Sequence, residues 1–214
     1  MVPMTLKCLL VAAMTLVGCN GQEMPDDGAA PDNYQYAVTI QPSNTIPAGT
    51  DETPGTFMFS AGQVEAIHRA MDDWSVALLP FVPTFDLVAR IGACDGSEDI
   101  CIRPFLDDTG GYGGVATRRP DGHYDIILQI GWSLTEIEDI AEHELGHAMG
   151  LYHTGRGSLM YPCSNFSNAA DVCDPSTGRS QDVAPPDVHQ WLSVHNKPAP
   201  DILPGYVLSE SCEP

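Results

Sequence analysis

The stretch "HELGHAMGLYH", residues 143–153, combines three histidines with a glutamate and a glycine at fixed spacing. Successive residues of an α-helix are rotated by about 100°, so His147 lies about 40° from His143 and one turn further along. These two imidazoles therefore share one face and can bind one metal ion. Glu144 is rotated by about 100° from His143 and flanks that face. Its carboxylate can reach a water on the ion without becoming a ligand.

The surrounding sequence predicts a helix that ends before the third histidine. Two overlapping capping boxes begin at Ser133 and Thr135, each followed three residues later by glutamate. The helix should run to about Met149, because Gly150 can adopt the left-handed conformation that ends a helix. The chain can then turn back and bring His153 to the same ion. The opposite side of the helix is apolar and predicted to face the core: Ile137, Ala141, Leu145 and Ala148.

Three neutral imidazoles and a neighbouring carboxylate predict hydrolytic chemistry. Three histidine ligands leave the fourth position of a tetrahedral zinc ion open to water. Zinc lowers the pKa of that water towards roughly 7, and Glu144 can accept its proton. The hydroxide can attack a carbonyl carbon polarised by zinc, and Glu144 can pass the proton to the leaving amine. The pattern therefore predicts peptide-bond hydrolysis without a covalent intermediate.

The whole chain is strongly acidic, which limits its partners. The 214 residues carry 29 acidic side chains against 9 Lys and Arg, a formal charge of −20. This charge argues against nucleic acid or an anionic membrane surface as a partner. The length suits one domain with a buried core. We expect a monomer that acts on a protein or peptide substrate.

An apolar run near the N terminus predicts export from the cytoplasm. Residues 1–18 read as a signal peptide, with Lys7 before an apolar core that is too short to span a bilayer. The run ends in "LVGC", which resembles the bacterial lipobox and implies lipid attachment to Cys19. The protein should then contact the membrane only through this anchor, at the outer membrane or cell surface. An ordinary secretory signal, with Cys19 incidental, is the alternative and predicts a secreted protein.

The rest of the chain divides into a tether and a catalytic domain. Residues 19–33 are polar and rich in Pro and Gly, as a flexible tether would be. Within 34–214, four segments rich in β-formers predict strands: 34–40, 85–91, 99–105 and 124–130. Helical patterns follow Ser60 and cover 185–195, whereas 41–56 is predicted to be a long loop. This order predicts an α+β domain.

The cysteines are consistent with an oxidising compartment. Apart from those near the N terminus there are five: Cys94, Cys101, Cys163, Cys173 and Cys212. The short-range pairs Cys94–Cys101 and Cys163–Cys173 are the expected disulfides, and Cys212 remains odd. Five cysteines do not fix the connectivity. A cysteine-ligated zinc site is less well supported, since no C-x-x-C occurs.

"HELGHAMGLYH" followed by "SLMYP" at 158–162 resembles the metzincin clan of zinc endopeptidases, and its matrixin members in particular. The resemblance assigns one catalytic zinc to three histidines: His143, His147 and His153. It implies that Glu144 is the catalytic base and that Met160 forms the Met-turn, an apolar floor that does not bind zinc. It also implies a twisted mixed β-sheet with a long active-site helix and a C-terminal helix.

The resemblance suggests further site residues. Gly114, Val115 and Ala116 lie where the clan has its substrate-pairing edge strand, which an extended peptide could join by main-chain hydrogen bonds. An ordinary glycine-rich loop is the alternative. Tyr161 and Pro162 are expected to form a pocket wall, although a tyrosine near this position can approach zinc in astacin-like relatives.

Other features of the family have no counterpart or stay ambiguous. No cysteine-switch sequence occurs, and no set of histidines supports a second, structural metal. The histidines outside the motif are expected in turns or at the surface: His68, His123, His189 and His195. Asp182 and Asp187 either brace the Met-turn from the last helix or serve as a capping residue and a solvated charge.

Two functional hypotheses follow. The first is a matrixin-like zinc endopeptidase facing outward. The second is a zinc-binding surface lipoprotein that acts as a binding or adhesion module without proteolysis. Glu144 favours the first, because a site that only binds does not need that carboxylate. Chance is a poor explanation for the motif, since five fixed positions recur in about 10⁻⁷ of windows at average residue usage.

Overall fold

Seven strands and three helices form the described part of the chain, which comprises residues 34–47, 54–106, 113–154, 157–161 and 182–198. The elements are β1 Gln35–Ile40, β2 Ser43–Ile46, β3 Gly55–Met58, α1 Ala61–Leu78, β4 Asp86–Ile91, β5 Ile100–Phe105, β6 Gly114–Arg118, β7 Tyr124–Gln129, α2 Leu134–Ala148 and α3 Pro185–Val194. The structure is a computed structural model. Several predictions fall outside the described residues: the signal peptide 1–18, the tether 19–33 with Cys19, Pro162, and the cysteines Cys163, Cys173 and Cys212.

The main sheet is mixed, as predicted. Its strand order is β4-β1-β5-β7-β6, so β4 and β6 are its two edges. The pairs β1–β4, β1–β5 and β5–β7 are parallel, and only β6 runs antiparallel to its neighbour β7. With α1 and α2 packed on it, the sheet forms the α+β fold that the element order predicted.

The prediction of one long loop over 41–56 is wrong. Strand β2 lies within this range, and strand β3 begins in it. β2 and β3 pair antiparallel from Ser43↔Met58 to Ile46↔Gly55. Ile46, Phe57 and Phe105 are buried together in a small cluster separate from the main core. Four-residue strands rich in Thr and Gly carry little periodicity, and this apolar contact favours the hairpin over a loop.

Helix α1 supports the central helix α2. Ser60 caps α1 through a box with Gln63, and Ser133 rather than Thr135 caps α2 through a box with Glu136. Trp74 of α1 is fully buried, and its Nε1–H donates to a main-chain carbonyl of α2 at 2.9 Å. The predicted apolar side of α2 is buried in the main core, so α2 is fixed on both its α1 side and its sheet side.

The predicted disulfide Cys94–Cys101 is present and closes the loop between β4 and β5. Glu98 lies in this loop with a fully buried side chain. It accepts hydrogen bonds from two loop N–H groups and forms ion pairs with Arg90 at 3.3 Å and Arg119 at 3.5 Å. The buried charge of Glu98 is therefore paired with one arginine of β4 and one from the β6–β7 turn.

His195, predicted at the surface, is partly buried and makes contacts that the sequence did not predict. The ring stacks on Trp191 with 4.0 Å between centroids, and its Nδ1–H donates to the Trp191 carbonyl at 2.9 Å. The hydroxyl of Tyr36 donates to Nε2 at 3.3 Å, and burial raises the pKa of that hydroxyl, which keeps it a donor. Tyr34 packs edge-on against both rings. The start of β1 is thereby joined to the end of α3.

Among the helices of the described residues, none combines the length and apolarity that crossing a bilayer requires.

His195 makes the stability of this junction depend on pH. Burial lowers the pKa of His195, so the folded state binds the proton more weakly than the unfolded chain. Its contribution is present above the unfolded pKa of about 6.5 and is lost as the pH falls. Between about pH 7.5 and pH 5.5, thermal unfolding should show a larger fall in Tm for the wild type than for His195→Phe, which keeps the stack but cannot titrate. Equal falls in the two proteins would contradict this assignment.

Candidate metal centre and active site

The structure brings the three motif histidines together. His143 and His147 lie one turn apart on α2, with ring centroids 4.8 Å apart. Gly150 has φ +90°, the left-handed conformation predicted for it, and the chain turns back directly after α2. His153 then lies with its ring 5.4 Å from that of His143 and 4.8 Å from that of His147. Three ring nitrogens, one from each histidine, lie within 4.8 Å of one another.

Main-chain carbonyls fix which nitrogen each ring presents. Nδ1 of His143 lies 2.9 Å from the carbonyl oxygen of Leu159, and Nδ1 of His147 lies 2.9 Å from that of Leu151. Each Nδ1–H therefore donates to a carbonyl oxygen and makes Nε2 the nitrogen that can bind a metal ion, the arrangement common for metal-binding histidines. Nε2 of His147 is 3.1 Å from Nε2 of His153. This donor set fits a zinc ion with an open fourth position.

Two ionisable groups on α2 have shifted pKa values. Burial lowers the pKa of His147, which favours the neutral ring that a metal ion needs. Burial, and after it the neighbouring Asp73, raises the pKa of Glu142 to about 10. Both shifts arise from burial of α2 in the protein interior.

Glu144 is buried between α2 and the edge strand β6. Only 7% of the residue is exposed. A Cβ added to Gly114 would lie 2.9 Å from Cγ of Glu144 and 2.7 Å from Cγ2 of Ile140, both closer than real contacts allow. Gly114 therefore lets β6 approach α2 closely at the side chains of Ile140 and Glu144. Of the predicted edge-strand residues, Gly114, Val115 and Ala116 all lie in β6, which is a strand and not a loop.

Met160 lies against the turn of α2 that carries the first two histidines. It is fully buried, and a Cβ on Gly146 would overlap its Sδ and lie 3.2 Å from Cζ2 of Trp74. Gly146 thus leaves the space that the methionine fills. Tyr161 follows, partly buried, as the last described residue of this segment.

Asp187 braces the Met-turn from α3, which decides between the two interpretations of the aspartates. Its carboxylate is fully buried and accepts from Leu159 N at 2.9 Å, Met160 N at 3.1 Å and the hydroxyl of Ser158. It also accepts from Ala184 N at 2.9 Å, which caps α3. Asp182, in contrast, is exposed.

Sequence reasoning missed Gly146, the packing role of Gly114 and the carbonyls that orient the rings. Gly146 falls at a variable position of H-E-x-x-H, where a small residue in a helix interior is the only signal of close packing. Gly114 carried the signal of a glycine in a strand, which indicates close backbone approach. The carbonyls of Leu151 and Leu159 leave no trace in residue type. His123, predicted in a turn, lies against the carbonyl of Glu98 and not in the histidine cluster.

Comparison with known proteins agrees with the site. The matrixin model of peptidase family M10 matches residues 52–175. The chain belongs to the matrixin family of metalloproteases, as the motif predicted.

Individual relatives are more distant. The hatching enzyme of Paracentrotus lividus is 31% identical over 113 residues, which cover 46% of this chain and 18% of that protein. The chain thus spans less than a fifth of that relative. The crystal structure of metalloproteinase-II from Bacteroides fragilis is 14% identical, covers 81% of this chain and 56% of that one, and has a TM-score of 0.44. The GM1-bound ECX AB5 holotoxin is 11% identical with a TM-score of 0.37, over 77% of this chain and 72% of that one.

Replacing Asp187 should destabilise the site from a distance. In Asp187→Asn, the side-chain NH₂ group would replace a carboxylate oxygen that now accepts hydrogen bonds from main-chain N–H groups. Because those N–H groups would lose their acceptor, we expect the free energy of unfolding to fall by about 3 kcal/mol. Zinc affinity should also fall, because the carbonyl of Leu159 orients His143. Denaturant unfolding measures the loss of stability, and metal analysis measures the loss of zinc. Asp86→Asn, the same change at an exposed residue of β4, is the control. A loss no larger than that of the control would contradict the brace.

Proposed function

We propose that this protein is a zinc-dependent endopeptidase that uses Glu144 as general base and acid. One observation carries the proposal: three histidines with converging ring nitrogens lie beside a buried glutamate at the edge of a sheet. A binding module would need the histidines but not this carboxylate. The family supports a metalloprotease, and the geometry supports the roles of the individual residues.

The histidines and Glu144 divide the work of hydrolysis. Zinc, when bound by His143, His147 and His153, supplies a Lewis acid that polarises the scissile carbonyl and acidifies water. Glu144 accepts the proton of the attacking water and returns it to the nitrogen of the leaving amine. Packing against β6 limits the movement of the Glu144 side chain, which follows His143 directly on the helix that also carries His147.

The edge of β6 supports an extended peptide substrate. Two main-chain hydrogen bonds lie at the two ends of the β6–β7 ladder. Gln129 N donates to Gly113 O at 2.8 Å, and Arg119 N donates to His123 O at 2.7 Å. Hydrogen-bonded pairs alternate along an antiparallel ladder, so the main-chain groups of Gly114 and Ala116 face away from β7. An extended peptide can pair with them and pass its carbonyl groups by Glu144.

Removal of the proposed base should slow cleavage sharply without loss of the metal. Glu144→Ala should lower kcat on an unstructured protein substrate by about 10²- to 10⁴-fold while leaving one zinc ion per chain. Mass spectrometry of products and metal analysis of the same samples test this. Glu65→Ala, an exposed glutamate of α1, is the control and should keep full activity. Stoichiometric zinc without cleavage in the wild type would favour the binding-module hypothesis, and a chain without zinc would contradict both.

A proline in the edge strand should weaken substrate pairing without unfolding the sheet. Ala116→Pro removes an N–H that faces away from β7, so β6 keeps its own ladder. We expect kcat/KM for a long peptide to fall about tenfold, as the loss of one main-chain hydrogen bond implies. Tm and zinc content should stay close to wild type. Unchanged kcat/KM with the variant folded would show that substrate does not pair with this edge.

A further inference from the structure

A second group of potential metal ligands lies between α1 and α2. Asp73 of α1 and Glu138 and Glu142 of α2 each offer a carboxylate oxygen, and these oxygens lie within 4.8 Å of one another. Glu138 and Glu142 are one turn apart on the same helix, so both can face Asp73 across the helix contact. None of these residues belongs to the histidine site.

Glu142 has an oxygen that the described protein does not satisfy. The residue is 1% exposed, and its Oε2 has no hydrogen-bond partner among the described residues. The contrast with other fully buried carboxylates is clear, since Glu98 faces two arginines and Asp187 accepts from four donors. Buried polar atoms are rarely left without a partner, so Oε2 indicates either a proton shared with Asp73 or a cation bound by the three carboxylates together.

The charge around this group is strongly negative. Arg69 is the cation bonded to it, and its Nε and Nη2 both donate to one oxygen of Glu138, at 2.9 and 2.6 Å. Asp139 and Asp182 add further negative charge near Glu142. The single positive charge of Arg69, bonded to one oxygen of Glu138, does not balance the acidic side chains of this cluster, which favours a divalent cation.

We propose that Asp73, Glu138 and Glu142 bind a divalent cation of the calcium type. Calcium takes six to eight oxygen ligands in flexible geometry, including carboxylates bound through one or both oxygens. Magnesium demands a near-ideal octahedron and keeps its waters, which suits a partly buried carboxylate group less well. The cation would satisfy Oε2 of Glu142 and cancel repulsion between α1 and α2. Since Glu142 precedes His143, it would hold the metal-binding helix in place, whether or not the protein cleaves peptides.

Calcium binding to the zinc-loaded full chain tests the proposal. Isothermal titration and thermal unfolding, with calcium chloride and then magnesium chloride, should show a calcium-dependent rise in Tm at millimolar concentration or below. Asp73→Asn should weaken calcium binding by about tenfold or more. Asp72→Asn is the matched control, because Asp72 is the exposed neighbour on α1 and undergoes the same change. It should bind calcium as the wild type does.

Each other outcome overturns the assignment. No calcium-dependent shift in the wild type would show that Asp73 and Glu142 are satisfied without a cation. An equal shift in Asp73→Asn would place calcium elsewhere in the chain. If Asp73→Asn fails to fold, Glu138→Gln replaces it under the same criterion. Zinc content and proteolysis, measured on the same samples, separate failure here from failure of the peptidase proposal.

Discussion

The buried carboxylate of Asp187 is the interaction on which the metal centre depends. It collects the N–H groups of Leu159 and Met160 and so gives the Met-turn one conformation. Leu159 then presents its carbonyl oxygen to Nδ1 of His143. A group at the start of α3, 44 residues beyond His143, therefore determines which nitrogen that histidine offers to the metal. A carboxylate is needed because only an acceptor on both oxygens can satisfy four donors at once.

Two glycines set the distances at the site. Gly146 lets Met160 pack against the turn between the histidines, and Gly114 lets β6 pack against Glu144. Both contacts are too close for a side chain, so helix α2 is held from two sides without room to shift. Glu144 is thus positioned by packing, and this suits the role proposed for it, in which a proton moves over a short, fixed distance.

The sequence was most informative where one helix carries the pattern. The cap at Ser133, the end at Gly150 and the shared face of His143 and His147 follow from helical geometry alone. Most strand positions were also predictable from β-forming residues, whereas the β2–β3 hairpin was not, because its four-residue strands depend on contact with Phe105.

Contacts between distant segments explain the remaining failures. Asp73 and Glu142 are 69 residues apart, and nothing in either local pattern predicts that α1 and α2 bring them together. The role of Asp187 stayed open until the position of α3 was known. His195 looked like a surface residue because its partners, Tyr34 and Tyr36, come from the other end of the domain.

That junction of β1 and α3 has a mechanical consequence. Lys197 lies 4.7 Å from the centre of the Tyr34 ring, so the chain enters and leaves the described region at one place. A pulling force applied through the segment before Tyr34 would act first on the aromatic contacts with Trp191 and His195. Strand β1 pairs with β4 and β5 and lies two strands away from the β6 edge beside Glu144. Tension at Tyr34 would therefore be borne at a distance from the histidines and Glu144.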